Sequence, residues 1–307
     1  MLSTAICIKS SEILNSLTIF RNLSFLNNDQ SIDLNISNFK NQSKYDVLFK
    51  DVELNSFTNK KSSILFDGKI NGNLFLSQID QKFKGESNLV ISGLKSNNEL
   101  IGDASLNLRA SDDLKKINIE FYIINDLEKK LNLFGDLSIE DEYYPLDLTL
   151  ITNGFRINPF SNLIKNSISD FEGEFNSEIK ITGSSSDPVF YGNIATSNVA
   201  FKVPYLNVRY EIEDNSTFFL NDQSFYIDDF KLTNRLTNTF GNISGRISHN
   251  LFKNWFLELD INSENLMILN TQLNNNSLYY GRGMFNGNAI IYGPEENLLI
   301  NLKGSTN

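Results

Sequence analysis

Two residues in this chain of 307 could open covalent chemistry, and they lie far apart: Cys7 is the only cysteine and His249 the only histidine. A nucleophile needs its base within hydrogen-bond reach, and the base needs a third group to orient it. No spacing in the chain supplies that set. His249 sits beside Asn250 between two alternating runs and reads as an ordinary turn residue. One Cys and one His cannot close a zinc site. The carboxylates come nearer to a motif. Asp112-Asp113, Glu140-Asp141-Glu142 and Asp228-Asp229 are adjacent acids, and paired carboxylates can divide acid and base work. All three fall in turn-like stretches and read as solvated turn residues. Asp214-Asn215 offers too few oxygens for a calcium loop. Glycines stand singly, with no phosphate-binding loop and no dinucleotide fingerprint. The expectation is a protein that is not an enzyme, with no catalytic, cofactor-binding or metal residues and no cofactor.

The charge balance excludes further classes. Net charge is -10 and the pI is near 4.8. Such a surface repels phosphate backbones, so no nucleic acid is expected as a partner. It also opposes broad electrostatic docking on anionic headgroups. No run approaches the roughly 18 apolar residues that a membrane helix needs. The start, Met1–Lys9, has no basic residues ahead of its apolar stretch and reads as the beginning of a strand or helix. One cysteine allows no disulfide within the chain.

What the chain does contain is alternation. Ile32–Ile36, Ile117–Phe121, Leu206–Glu213 and Leu257–Ile261 each alternate apolar and polar residues, and Leu298, Ile300 and Leu302 follow the same rule. Period two marks strands with one face buried. The 24 Phe and 11 Tyr suit pleated, half-buried surfaces, and Pro is scarce at 5. Asn71-Gly72, Asn153-Gly154, Ser186-Asp187-Pro188 and Asn286-Gly287 read as turns between strands. Two segments carry helical spacing, Ser10–Phe20 and Asn158–Ser169. The second opens Asn-Pro, with Phe160, Leu163, Ile164 and Ile168 on one side. Asn is abundant, as in Asn274-Asn275-Asn276, through compositional bias or as a side-chain ladder.

Weak repetition follows. Gly173–Gly183 resembles Gly283–Gly293, and Gly135-Asp-Leu-Ser-Ile resembles Gly245-Arg-Ile-Ser-His, each at an offset of about 110 residues. The fold class expected is all-β: an elongated, curved antiparallel or mixed β-sheet trough, of β-taco or β-solenoid-like repeat type, with one or two short helices. Residues 1–170 form one β-repeat segment, with a helix near 158–169, and residues 171–307 a second. The alternation running up to Leu302 suits one continuous fragment of a longer protein.

The last third carries a family resemblance. Phe201–Tyr210, Ile212-Glu213, Gly245–His249, Trp255–Asp260, Leu269–Thr271, Leu278–Gly281 and Ile291–Pro294 together resemble the C-terminal part of the translocation and assembly module TamB family, within the AsmA-like group of bridge-like lipid transfer proteins. The resemblance spans Ser197–Thr306, and before residue 170 only the style of the sequence agrees. It implies a periplasmic scaffold, anchored to the inner membrane by a segment absent from this chain. It also implies phospholipid acyl chains and an Omp85-type outer-membrane barrel as partners, with no residue here assignable to the barrel.

On that basis the function expected is carriage of phospholipid between inner and outer membranes along a hydrophobic groove. Two alternatives stand beside it: an assembly factor or chaperone for outer-membrane or autotransporter proteins that acts through a sheet edge, and a structural β-solenoid or adhesin. The groove candidates are Ile179, Ile181, Leu206, Val208, Tyr210, Ile212, Leu257, Leu259 and Ile261. Their polar alternates, Arg209, Glu211, Glu258 and Asp260, are expected to face water.

Overall fold

A computed structural model describes every residue except 1–6, 16, 17, 28, 40, 41, 58–64, 80, 81, 112, 114, 142, 144, 164–167, 273–279 and 307. The described residues are all-β, with nineteen strands and two short 3-10 turns. They divide into two compact units, residues 1–150 with 182–185, and 151–181 with 186–307.

The first unit holds β1 (Cys7–Asn15), β2 (Thr18–Asn27), β3 (Gln30–Phe39), β4 (Gln42–Glu53), β5 (Phe66–Ile79), β6 (Lys82–Ser96), β7 (Glu99–Ala110), β8 (Lys116–Asn125), β9 (Glu128–Ser138) and the start of β10 (Leu146–Arg156). From β1 to β9 each strand pairs antiparallel with the next. The expected helix over Ser10–Phe20 is instead the β1–β2 hairpin, in which Ile13 lies opposite Phe20 and Leu14 opposite Ile19. The backbone ladder of this hairpin takes the place of the weak helical spacing. A 3-10 turn, Leu54–Ser56, follows β4.

Three of the four expected turns are not turns. Asn71-Gly72 lies inside β5, Asn153-Gly154 inside β10, and Asn286-Gly287 inside β18 (Gly281–Pro294). The reason is visible at Gly72. Its φ is +124°, and a Cβ there would sit 2.0 Å from the Asn88 carbonyl oxygen. Only glycine allows the neighbouring strand so close. The Asn beside it serves a different purpose, because Asn71 Oδ1 accepts the backbone N–H of Asp51 at 2.9 Å, where β4 bulges. Only Ser186-Asp187-Pro188 joins two strands, β11 (Ser169–Gly183) and β12 (Pro188–Val203), as expected.

That clamp recurs. Gly93 N–H reaches Asp103 Oδ1 at 2.7 Å beside the β6 bulge, Gly154 N–H reaches Asn176 Oδ1 at 2.8 Å, and Asn198 N–H reaches Asp214 Oδ1 at 2.6 Å. Bulges free backbone N–H groups from the ladder, and short Asx side chains recapture them. Twelve of the fifteen described non-glycine residues with positive φ are also Asn or Asp, the side chains that tolerate that region. The abundance of Asn therefore has a structural use. A short ladder exists too, with Asn73, Asn88 and Asn107 opposite one another; Asn274–Asn276 lie outside the described residues.

In the second unit a 3-10 turn covers only Asn158–Leu163, shorter than the expected helix to Ser169, where β11 already begins. Ile164 lies outside the described residues. After β12 come β13 (Val208–Ile212), β14 (Thr217–Asn221), β15 (Ser224–Asn234), β16 (Thr239–Asn250), β17 (Lys253–Thr271), β18 and β19 (Leu299–Thr306). β13 and β14 act as two halves of one strand between β12 and β15. From β15 to β19 each strand again pairs antiparallel with its successor. Asp228-Asp229 is not a turn but a bulge inside β15, where Asp229 accepts from Asn242 Nδ2 at 2.8 Å.

Two bulges in β17, between Ser263 and Leu266 and between Met267 and Leu269, bring that strand against β13. Val208, Tyr210, Leu266 and fully buried Met267 form a core there. The Tyr210 hydroxyl donates to the Met267 carbonyl at 2.8 Å. Burial pushes the phenol well above its ordinary pKa, so it stays protonated and remains a donor.

Candidate functional site

Strand registers turn alternation into surfaces. In the first unit Ile32, Phe49, Gly72, Leu89, Leu106 and Phe121 stand opposite one another on six successive strands. Two residues along lies a parallel row, Val52, Ile70, Ile91, Ala104 and Ile123. Residues two apart share a face, so these two rows lie on one apolar face, which the next row, Leu34, Val47, Leu74, Ser87, Leu108 and Ile119, continues with Ser87 as its polar member. The other face carries Asp33, Leu48, Asn73, Asn88, Asn107 and Glu120. Burial across the apolar face is graded. Val52 and Ile123 are 4% exposed, beside the bulge line, whereas Leu74, on the same face, is 37% exposed. Such a face has a lined crease and a greasy, incompletely covered flank.

The second unit repeats the pattern. Phe230, Ile243, Ile261, Ala289 and Leu302 form one row, and Ile227, Gly245, Leu259, Ile291 and Ile300 the next. Both start buried, with Ile227, Phe230 and Leu259 in one cluster, and end exposed, with Leu302 at 58%.

The nine candidates from sequence fall in two settings. Leu257, Leu259 and Ile261 lie on the apolar face of β17. Ile179 is buried, with Gly192 directly against its backbone, and Ile181 follows it two residues along β11. Val208, Tyr210 and the half-buried Leu206 pack on Leu266 and Met267, and Ile212 packs against the Ile227–Leu259 cluster. That end is filled by the chain's own side chains. The half-exposed residues of the first unit, such as Leu74 and Leu89, were missed. Their signal was the alternation Asn71-Gly72-Asn73-Leu74, masked by reading Asn-Gly as a turn.

The polar alternates find partners on the opposite face: Arg209 with Glu172, Glu211 with Arg235, Glu258 with Arg246, and Asp260 with Asn262. The other acids are turn residues. Asp113 accepts from the Ser111 hydroxyl at 2.6 Å and the Lys115 N–H at 3.1 Å, which hold its carboxyl below the ordinary range. Glu140 pairs with Lys115 at 3.0 Å, and Asp141 accepts from the Tyr143 N–H at 3.0 Å; Asp112 and Glu142 lie outside the described residues. Among the described residues no group of three or more His, Cys, Asp or Glu could hold a metal.

One comparison gives a match. Residues 228–307 fit the family model of the TamB C-terminal domain. That stretch is similar to the TamB C-terminal domain. It contains β16 to β19 and most of β15, hence the whole row from Phe230 to Leu302 and the other row from Gly245 onward, without Ile227, and it includes Gly245–His249, Trp255–Asp260 and Ile291–Pro294 of the resembling residues. Phe201–Tyr210 lies ahead of it, and Leu278 and Tyr279 lie outside the described residues. No curated protein and no solved structure matches the chain. No described helix is long and apolar enough to cross a membrane.

Within the matched stretch His249 is a buried residue at the end of β16, not an exposed turn residue. It stacks on Phe252 at 4.5 Å and meets the Trp255 ring at 4.9 Å. Nδ1 accepts the Phe252 N–H at 3.2 Å, and buried Nε2 has no partner. Burial lowers its pKa, with Asp222 pulling weakly the other way. An unfolded histidine takes up its proton near pH 6.5, before the folded one does. Stability contributed by the neutral ring is therefore full above that pH and falls as pH drops toward the lowered folded value. Urea midpoints should be lower at pH 5.5 than at pH 7.5 in the native chain, with the difference reduced in His249→Phe.

Proposed function

We propose that this chain is part of a periplasmic TamB-like scaffold whose apolar face carries phospholipid acyl chains between the inner and outer membranes. The observation that supports it best is the row structure of the first unit, apolar over six strands, with Leu74 two residues along β5 on the same face and over a third exposed. A 16-carbon chain exposed to water costs on the order of 12 kcal/mol, at about 0.8 kcal/mol per CH₂. A continuous apolar face removes most of that cost without bond chemistry. Burial has no directional preference, so acyl chains of differing length are accepted. An envelope location and an Omp85-type barrel as partner accord with the similarity to the TamB C-terminal domain.

The experiment places a photo-crosslinking residue at Leu74 or at Asn73, on opposite faces of β5, and incubates the chain with phospholipid vesicles. Lipid adducts are expected from position 74 and not from 73. Equal labelling at both positions, or none at 74, removes the groove.

A second reading, assembly of outer-membrane proteins by strand addition, is favoured by β19. All eight of its residues are exposed, its pairing with β18 runs without a bulge, and it contains no proline. Among the described residues β19 pairs with β18 alone, and a strand side left unpaired in this way is a template for another strand. Client crosslinks confined to Asn301 and Lys303, without lipid at position 74, would favour this reading. A dry structural solenoid fits least, since it would cover the apolar rows.

A further inference from the structure

Of the fifteen described non-glycine residues with positive φ, three are neither Asn nor Asp: Leu127, Leu251 and Phe252. All three sit in two-residue hairpin turns, Asp126-Leu127 between the pair Asn125 and Glu128, and Leu251-Phe252 between Asn250 and Lys253. Such turns, with both central φ values positive, ordinarily take Asn or Gly. The β6–β7 turn obeys, with Asn97-Asn98 at φ 51° and 73°. At Leu251 and Phe252 the chain accepts an unfavourable backbone for both central residues and also exposes them, at 39% and 45%. One side of Phe252 packs on the His249 ring, but the rest of Phe252 and Leu251 stay uncovered by the fold, and that strained, exposed apolar pair points to contact outside it.

The surroundings of the two tips differ. Leu127 is flanked by Asp126, Glu128, Lys129 and Lys130. The other tip reads Leu251-Phe252-Lys253-Asn254-Trp255. Phe252 is held in place from behind by the stacked His249 ring and by Phe190 at 6.1 Å. Apolar residues outermost, with Lys and Trp behind them, reproduce the gradient of a bilayer interface, where rings and ammonium groups settle at headgroup depth. The geometry points to the Leu251-Phe252 hairpin tip as a bilayer-contact element that inserts into the headgroup–acyl boundary of a phospholipid surface. Lys253 is outnumbered by acids around the tip: Asp222 acts on His249, and Glu295 follows β18 with its N–H on the Trp255 carbonyl at 2.9 Å. The preferred surface is therefore zwitterionic. The tip lies off the apolar rows, so its role does not depend on lipid carriage.

Trp255 is the only tryptophan and serves as the probe. The full chain is mixed with phosphatidylcholine vesicles and followed by flotation and by quenching of Trp255 with brominated acyl chains. The native chain should float and be quenched, less so as anionic lipid is added. Leu251→Asn with Phe252→Gly restores a favoured turn, and should weaken association roughly tenfold or more while leaving the urea midpoint of folding undiminished. Leu127→Asn should leave association unchanged. Absence of flotation by the native chain overturns the assignment, as does a double variant that binds equally well. A double variant that unfolds at lower urea would show that the two residues serve the fold, and also overturns it.

Discussion

Alanine at position 245 should unfold the sheet around β15 to β17, with an expected loss of about 3–5 kcal/mol in a urea titration. Gly245 sits in the middle of β16, between Ile227 and Leu259. Its φ is +132°, and a Cβ would lie 2.0 Å from the Glu258 carbonyl oxygen and 3.0 Å from Leu259 Cα. The obstructing atoms are backbone, so no rotamer change relieves the overlap. Relief requires β17 to move away, which breaks the ladder and opens the Ile227–Phe230–Leu259 cluster beside it. Gly85→Ala is the control: the nearest atoms to a Cβ there lie at 3.7 Å, and its urea midpoint should stay near the native one. A Gly245→Ala chain as stable as native would mean that β16 and β17 do not approach this closely.

The second large effect separates stability from lipid handling. Leu259→Asp places a carboxylate at a position 7% exposed, among Ile227, Phe230 and Ile291. An unpaired buried charge costs about 3–5 kcal/mol, so the loss should appear as unfolding, and any loss of transfer with it is uninformative. Leu74→Asp lies at a position 37% exposed. There the carboxylate can keep water, and the cost should stay near 1 kcal/mol. On the proposed groove it nonetheless sets a charge in the path of an acyl chain. Vesicle-to-vesicle phospholipid transfer should fall severalfold in Leu74→Asp with its urea midpoint close to native. Transfer at the native rate in a folded Leu74→Asp chain would contradict the groove.

Much of this was legible from alternation alone. Ile32–Ile36, Ile117–Phe121 and Leu257–Ile261 all lie in strands, and their apolar members share a face, because a pleated strand leaves no other choice. The errors came where one residue type does two jobs. Asn-Gly is a good turn signal in isolation, yet at Asn71-Gly72 glycine permits a close strand and Asn clamps a bulge. Asp228-Asp229 looked like a turn because nothing local distinguishes a turn from a bulge inside a strand. Which part of an apolar face is covered by the same chain was not legible either. Val208 and Leu257 have equally clean alternation, but only Val208 meets Leu266 and Met267, and that meeting depends on two bulges more than fifty residues further along.

The strictly consecutive pairing of β1 to β9, and of β15 to β19, has a bearing on biosynthesis. No strand in either run must wait for a distant segment before it finds its neighbour, so hydrogen bonding can keep pace with a nascent polypeptide emerging end first. Each new hairpin lands on an edge already in place, and that edge is sealed within one strand length of being made. Growth by accretion shortens the interval in which a greasy, unpaired border is open to aggregation.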